Sequence, residues 1–161
     1  GNLDVAFIGS GSIRMKQLGP VVTLRDLKQF FPYDDTFSRY TVTGKQLEQI
    51  FTHIMRKENR NGEGECYQVS HGVKAVYDEI FERLVSLEIG GNPVEMDHTY
   101  QIGLQSYHAM NSEKFLGFTM EELSELNPPR ILATSMQSVI DEYLRAHQAI
   151  NREVEGRLIY R

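Results

Sequence analysis

The chain has 161 residues, a formal net charge of −5, and 40% hydrophobic, 24% charged and 10% aromatic residues, the make-up of one folded domain that buries about two-thirds of its unfolded surface. Such an acidic balance excludes a nucleic-acid polymer gripped through a broad basic face, although one arginine can still hold a small anion. The lone cysteine, Cys66, excludes an internal disulfide, and no window reaches the ~20 apolar residues of a membrane span.

In chain order, Asp4 to Ile8 is a short apolar run ended by Gly9 and predicts a buried strand. Gly9-Ser10-Gly11-Ser12 is then a loop of small residues, with Arg14 just beyond it. Gly19-Pro20 breaks the chain again. Thr23 then caps a predicted helix with Leu24, Leu27, Phe30 and Phe31 on one face, and Pro32 stops it. Phe37 to Thr43 alternates as a strand. Thr43-Gly44-Lys45-Gln46 has the capping-box pattern, and Leu47, Ile50, Phe51, Ile54 and Met55 follow at helical spacing.

Glu58 to Glu65, ENRNGEGE, is read as a polar, mobile loop. Val73 to Tyr77, Leu84 to Ile89 and Tyr100 to Leu104 are predicted strands, with Gly90-Gly91-Asn92-Pro93 turning between the last two. A short helix over Met120 to Leu126 ends before Pro128-Pro129. A long amphipathic helix is predicted over Thr134 to Ile150, and a last strand over Arg157 to Tyr160. Strands and helices mix without strict βαβ alternation, so the predicted class is α+β, a mixed sheet with helices packed on it, in a single domain spanning residues 1–161.

FIGSGSIR, residues 7–14, invites a phosphate-cradle reading, but no lysine-hydroxyl pair and no third glycine follow, so neither nucleotide fingerprint is met. What stands is a strand that delivers small residues and one guanidinium, Arg14, to its carboxyl end. That is either a ligand-facing loop or a turn with an exposed arginine.

His53, His71, His98, His108 and His147 are scattered, with no HExxH and no cysteine partner, so no metal set is expected. Ser10 and Ser12 lack a nucleophile elbow, and Cys66 has no catalytic context. Tyr33 follows Pro32 at a helix end, and Tyr107 lies with His108 in a predicted loop after a strand. Two such rings either cover the core singly or clamp a planar ligand together.

Taken in order, FIGSGSIR, GPVVTLRDLKQFFPYDDTF, YTVTGKQLEQIF, YQVSHGVKAVYD and NPVEMDHTYQIGLQSYHA resemble the C-terminal domain of the 5'-nucleotidase family, which includes UDP-sugar hydrolases and 2',3'-cyclic-nucleotide phosphodiesterases. The resemblance implies a specificity domain whose partner, an N-terminal metallophosphoesterase domain absent from this chain, holds two divalent metal ions and performs the hydrolysis. No cofactor is implied for this chain itself. By the same resemblance Arg14 grips an anionic group, Tyr33 and Tyr107 sandwich the base, and Gly9, Gly11, Gly72 and Glu113 border the substrate.

The implied ligand is a nucleotide or related phosphate ester, and an exported parent is favoured. Three departures from the family pattern stand out. Gly9 replaces a ligand-contacting asparagine, Asn111-Ser112-Glu113-Lys114-Phe115 replaces G-G-D-G-F as a stiffer loop, and His71 is added within Q-V-S-G, where it is expected near the pocket wall. The changes at Gly9 and over Asn111 to Phe115 favour the alternative reading, a diverged interaction or structural domain that kept the fold and lost the nucleotide. The absence of a leading helix and of a catalytic domain reads as a trimmed C-terminal domain.

Overall fold

The computed structural model describes residues 2–61 and 65–161. Nine strands and seven helices are found among them: β1 (Val5–Gly9), α1 (Leu24–Phe30), β2 (Phe37–Thr43), α2 (Gly44–Ile54), α3 (Lys57–Asn61), β3 (Tyr67–Val69), β4 (Val73–Asp78), β5 (Arg83–Ile89), β6 (Asn92–Pro93), β7 (Thr99–Gln105), α4 (Ser106–Met110), α5 (Ser112–Leu116), α6 (Met120–Leu123), β8 (Arg130–Ala133), α7 (Met136–Ala146) and β9 (Leu158–Tyr160). A short 3-10 turn, Ser10–Ser12, follows β1 directly.

The strands divide over two sheets, one of five strands in the order β3-β1-β7-β2-β8 and one of four in the order β6-β5-β4-β9. Each is mixed. β1 runs parallel to β7, with Val5 opposite Ile102, and β4 runs parallel to β9, with Val76 opposite Ile159. The remaining pairings are antiparallel.

The larger sheet is covered on both faces, which explains the unbroken apolar run of β1. Val5 and Phe7 point into the main core with Leu47, Ile50, Phe51 and Ile54 of α2. Ala6 and Ile8 point the opposite way, against Phe31, Phe37 and Met136, where α1 and α7 pack together. Successive strand residues therefore serve two cores. α2 lies between the sheets and contacts β5 as well as β2 and β7.

α1, α2 and α6 each start at a threonine that forms a reciprocal capping box with the residue three positions on, at Thr23, Thr43 and Thr119. Leu24, predicted on the packed face of α1, is instead largely exposed, because only Leu27 of that turn reaches the core.

The α+β class stands, and several expectations are corrected in detail. Gly90 and Gly91, at φ 59° and 81°, join β5 to the short β6, not to β7. Both central residues of that two-residue turn need positive φ, which suits glycine. β5 and β7 consequently belong to different sheets.

The predicted loop over residues 58–65 contains α3 in its first half, and its residues 62–64 lie outside the described residues. The predicted loops around Tyr107 and over residues 111–115 are the one-turn helices α4 and α5. The helix predicted from Thr134 to Ile150 is shorter. Ser135 caps it by accepting from Ser138 N–H, and His147 leaves helical geometry before Ala149 turns to φ 53°.

Candidate functional site

At the carboxyl ends of β1 and β7 the chain makes a cavity of about 290 Å³, lined by Gly11, Ser12, Arg14, Tyr33, Asp35, Glu65, Tyr107 and His108. Backbone hydrogen bonds fix each contributing segment. The turn after β1 is held by Ser10 N–H donating to Cys66 O at 2.7 Å, and Arg14 N–H donates to Phe30 O at 2.8 Å. The Pro32–Asp35 segment is tied to α7, whose Met136 N–H donates to Asp35 O at 3.1 Å while Ser135 Oγ donates to Asp34 Oδ1 at 2.6 Å. The start of α4 is tied to the same segment, since Ser106 Oγ donates to Asp35 Oδ1 at 3.0 Å and Ser106 N–H to Thr36 O at 2.9 Å.

Two tyrosines and a guanidinium meet at this cavity. Tyr33 is 42% exposed and Tyr107 49% exposed, so both rings keep a face open to a ligand. The Arg14 guanidinium donates to the Tyr33 hydroxyl and lies 5.4 Å from the centre of its ring, a cation–π arrangement that holds the cation at the cavity rim. Tyr107 is backed by Phe115 of α5 at 6.0 Å and by His108 at 5.4 Å between ring centres.

The floor is polar, with His108 buried and Glu65 half-buried. Glu65 accepts from Gly11 N–H at 2.9 Å, and its second oxygen lies 3.7 Å from His108 Nε2. His108 holds the Glu65 carboxyl below its ordinary value, and the Gly11 N–H and the Arg14 charge act the same way against the opposing effect of burial. The carboxylate is therefore ionised at neutral pH. His108 is 2% exposed, and its Nδ1 has no hydrogen-bond partner among the described residues. The hydroxyl of Tyr67 beside it is also buried with no partner among the described residues, and burial pushes its pKa up. Ser12 Oγ donates to Gln105 Oε1 at 3.1 Å on the neighbouring wall.

Of the residues singled out from sequence, Arg14, Tyr33, Tyr107 and Gly11 come together around this cavity. Gly9 lies beneath its floor, where Glu65 and His108 fill the space that a side chain would take. Gly72 sits in the turn between β3 and β4, where its carbonyl accepts from Gly90 N–H, and Glu113 is exposed on α5; neither lines the cavity. His71, expected near the pocket wall, instead faces Glu155 at 2.9 Å in that same turn. Glu65, His108, Asp35 and Ser12 are the residues that sequence reasoning missed as site residues. For Glu65 one signal existed: a glycine standing in place of a side chain calls for another group to fill its space.

A larger concavity of about 520 Å³ lies between β3 and residues 153–158. Its two arginines are already engaged, Arg60 paired to Glu79 and stacked 3.8 Å from Tyr160, and Arg157 bonded to Glu155 at 2.9 Å. The smaller cavity is the one that gathers two half-exposed tyrosine rings and a rim cation. Among the described residues no three histidine, cysteine, aspartate or glutamate side chains converge as a metal-holding set, so these residues do not fit a dinuclear centre. No described helix is long and apolar enough to cross a membrane.

Mixed sheets with packed helices, and a concave, aromatic-rimmed cavity at the strand ends, define an α+β domain with one candidate ligand site. Residues 1–121 match the family model described as "5'-nucleotidase, C-terminal domain", and the chain belongs to that family. It is 26% identical to a snake venom 5'-nucleotidase of Macrovipera lebetinus over 99% of the chain and 41% of that relative. A 5'-nucleotidase of Mus musculus is also 26% identical, over 98% of the chain and 28% of the relative.

The fold is shared with a 5'-nucleotidase precursor from Thermus thermophilus, at TM-score 0.79 and 20% identity, covering 98% of this chain and 31% of that one. The NAD nucleotidase of Haemophilus influenzae superposes at TM-score 0.83 and 18% identity, covering 98% and 30%. The chain thus spans less than half the length of these relatives.

Proposed function

We propose that the chain is the substrate-binding part of a 5'-nucleotidase-type phosphohydrolase. Tyr33 and Tyr107 clamp the base of a nucleotide or related phosphate ester, and Arg14 takes its anionic end. Catalysis in the parent falls to a metal-bearing domain outside this chain, and this domain contributes by holding the reactive group in position. A venom origin of relatives supports an exported parent.

The observation that carries the reading is the convergence of Arg14, Tyr33 and Tyr107, from three separated segments, on one cavity. An arginine offers a forked donor set to phosphate, and half-exposed rings offer stacking faces. Titration with AMP, followed by amide and tyrosine NMR signals, tests it. Saturable shifts are expected at Arg14, Tyr33 and Tyr107. Tyr33→Ala and Tyr107→Ala should each weaken binding by about 1–3 kcal/mol, the usual worth of one stacked base, with the fold intact.

A second reading, a structural domain that has lost its ligand, is favoured by one feature. Glu65 and His108 occupy the space over Gly9 where the family asparagine would stand. It requires that no nucleoside or nucleotide shift the two tyrosines in a folded sample, and that their substitution lower stability instead.

A further inference from the structure

Glu65 is a site residue without a role in the clamp. It comes from a segment remote from both tyrosines, yet its carboxylate is fixed at the cavity floor by Gly11 N–H at 2.9 Å and stands 3.7 Å from His108 Nε2. Its side chain is only 14% exposed. The position was made available by Gly9, because a methyl group there would lie 2.5 Å from both Glu65 Oε1 and His108 Nε2. A half-buried acid at this cavity, held by a backbone donor and facing an imidazole, is placed to meet a ligand.

The charge layout gives the cavity a polarity. Arg14 is exposed at the rim and Glu65 is half-buried at the floor. A ligand that is anionic at one end and rich in N–H donors at the other matches this order, and the reverse orientation would bring an anion onto a carboxylate. Ionised, Glu65 accepts hydrogen bonds and donates none. One oxygen already serves Gly11, which leaves lone pairs on both oxygens free to meet two adjacent donors.

From this we infer that Glu65 reads the edge of the clamped ring and selects bases that present neighbouring N–H donors, as guanine does with N1–H and its 2-amino group, over adenine, whose N1 is an acceptor. The inference rests on the clamp reading above and adds the class of base to it. Adenine would set a lone pair against the carboxylate, so discrimination comes from repulsion as well as from lost hydrogen bonds. Inosine keeps N1–H and lacks the 2-amino group, and falls between the two.

The test is a titration of the chain with guanosine, inosine and adenosine, read by amide and tyrosine NMR signals, and repeated on Glu65→Gln. Guanosine should bind about tenfold or more tighter than adenosine, with inosine intermediate, as expected for hydrogen bonds to a charged acceptor. Glu65→Gln keeps an acceptor for Gly11 N–H but brings an amide donor into the cavity, and should narrow or invert that ranking. The ranking on the unaltered chain stands as a test even if the variant does not fold. Adenosine bound as tightly as guanosine, with shifts at Tyr33 and Tyr107, would overturn the base assignment and leave the clamp intact. Equal binding of both that vanishes with 2',3'-dideoxy ribose would overturn it too, by assigning the carboxylate to the sugar hydroxyls. No shift at either tyrosine with any nucleoside would overturn the clamp itself and the inference with it.

Discussion

A methyl group placed on Gly9 would meet Glu65 Oε1, Glu65 Cδ and His108 Nε2, all within 2.6 Å. The carboxylate can swing away, but the buried imidazole cannot move without disturbing Tyr67 and Phe115, which pack at 5.2 Å and 5.9 Å from its ring centre. Gly9→Ala should therefore lower stability by about 1–3 kcal/mol in denaturant unfolding, the usual cost of overpacking. Because the clash is shared with Glu65, Gly9→Ala combined with Glu65→Ala should cost less than the two changes added. Additive losses would mean that the strain lies with His108 alone.

The two residues also mark where the sequence ran out. Arg14, Tyr33 and Tyr107 were legible because each follows a visible break in the chain. Glu65 sits in ENRNGEGE, a stretch with turn composition and no periodicity, and its partners Gly11 and His108 are 54 and 43 positions away. Nothing local can encode that encounter.

Among the elements, α2 has the most demanding start. Its first residue, Gly44, donates to His98 O at 2.8 Å, and a Cβ there would stand 2.0 Å from Glu95 O. The obstacle is backbone and cannot rotate aside. Gly44→Ala should cost about 3 kcal/mol or more, while Thr43→Ala, which removes only the capping box next to it, should cost about 1 kcal/mol. Thermal or urea unfolding of the two variants checks the order, and a larger loss at Thr43 would contradict it.

The start and the apolar face of that helix were readable in advance, since a threonine cap and a five-residue apolar stripe carry strong local signals. β3, β8, α4 and α5 were not. Each has five residues or fewer and depends on a neighbour: β3 on pairing with β1, β8 on the edge of β2, and α4 on the Ser106–Asp35 bond. The assignment of β5 and β7 to different sheets likewise follows from pairings that no turn motif encodes.

For the whole molecule, Glu65 makes stability depend on pH. Its folded value is held below the ordinary 4.5 by His108, Gly11 N–H and Arg14. The stabilisation is thus complete above the unfolded value and is lost as the pH falls through the folded one. The stability difference between the unaltered chain and Glu65→Gln should be largest near neutrality and shrink towards about pH 3, as measured by urea unfolding across that range. A difference that grows on acidification would reverse the sign and with it the view that the carboxylate is stabilised in its charged form.

The parallel pair at the heart of the larger sheet, Val5 against Ile102, carries a consequence for how the chain comes to be folded. The strand β1 is apolar on both faces and has open hydrogen-bonding edges until it pairs, yet its central partner lies almost a hundred residues further along the chain. All of the intervening chain must be made before that seam can close. Loops of this length close slowly, and an unpaired strand of this kind invites association with other nascent chains in the interval. The strand that anchors the candidate cavity once folded is, until its partner is made, a segment in need of protection.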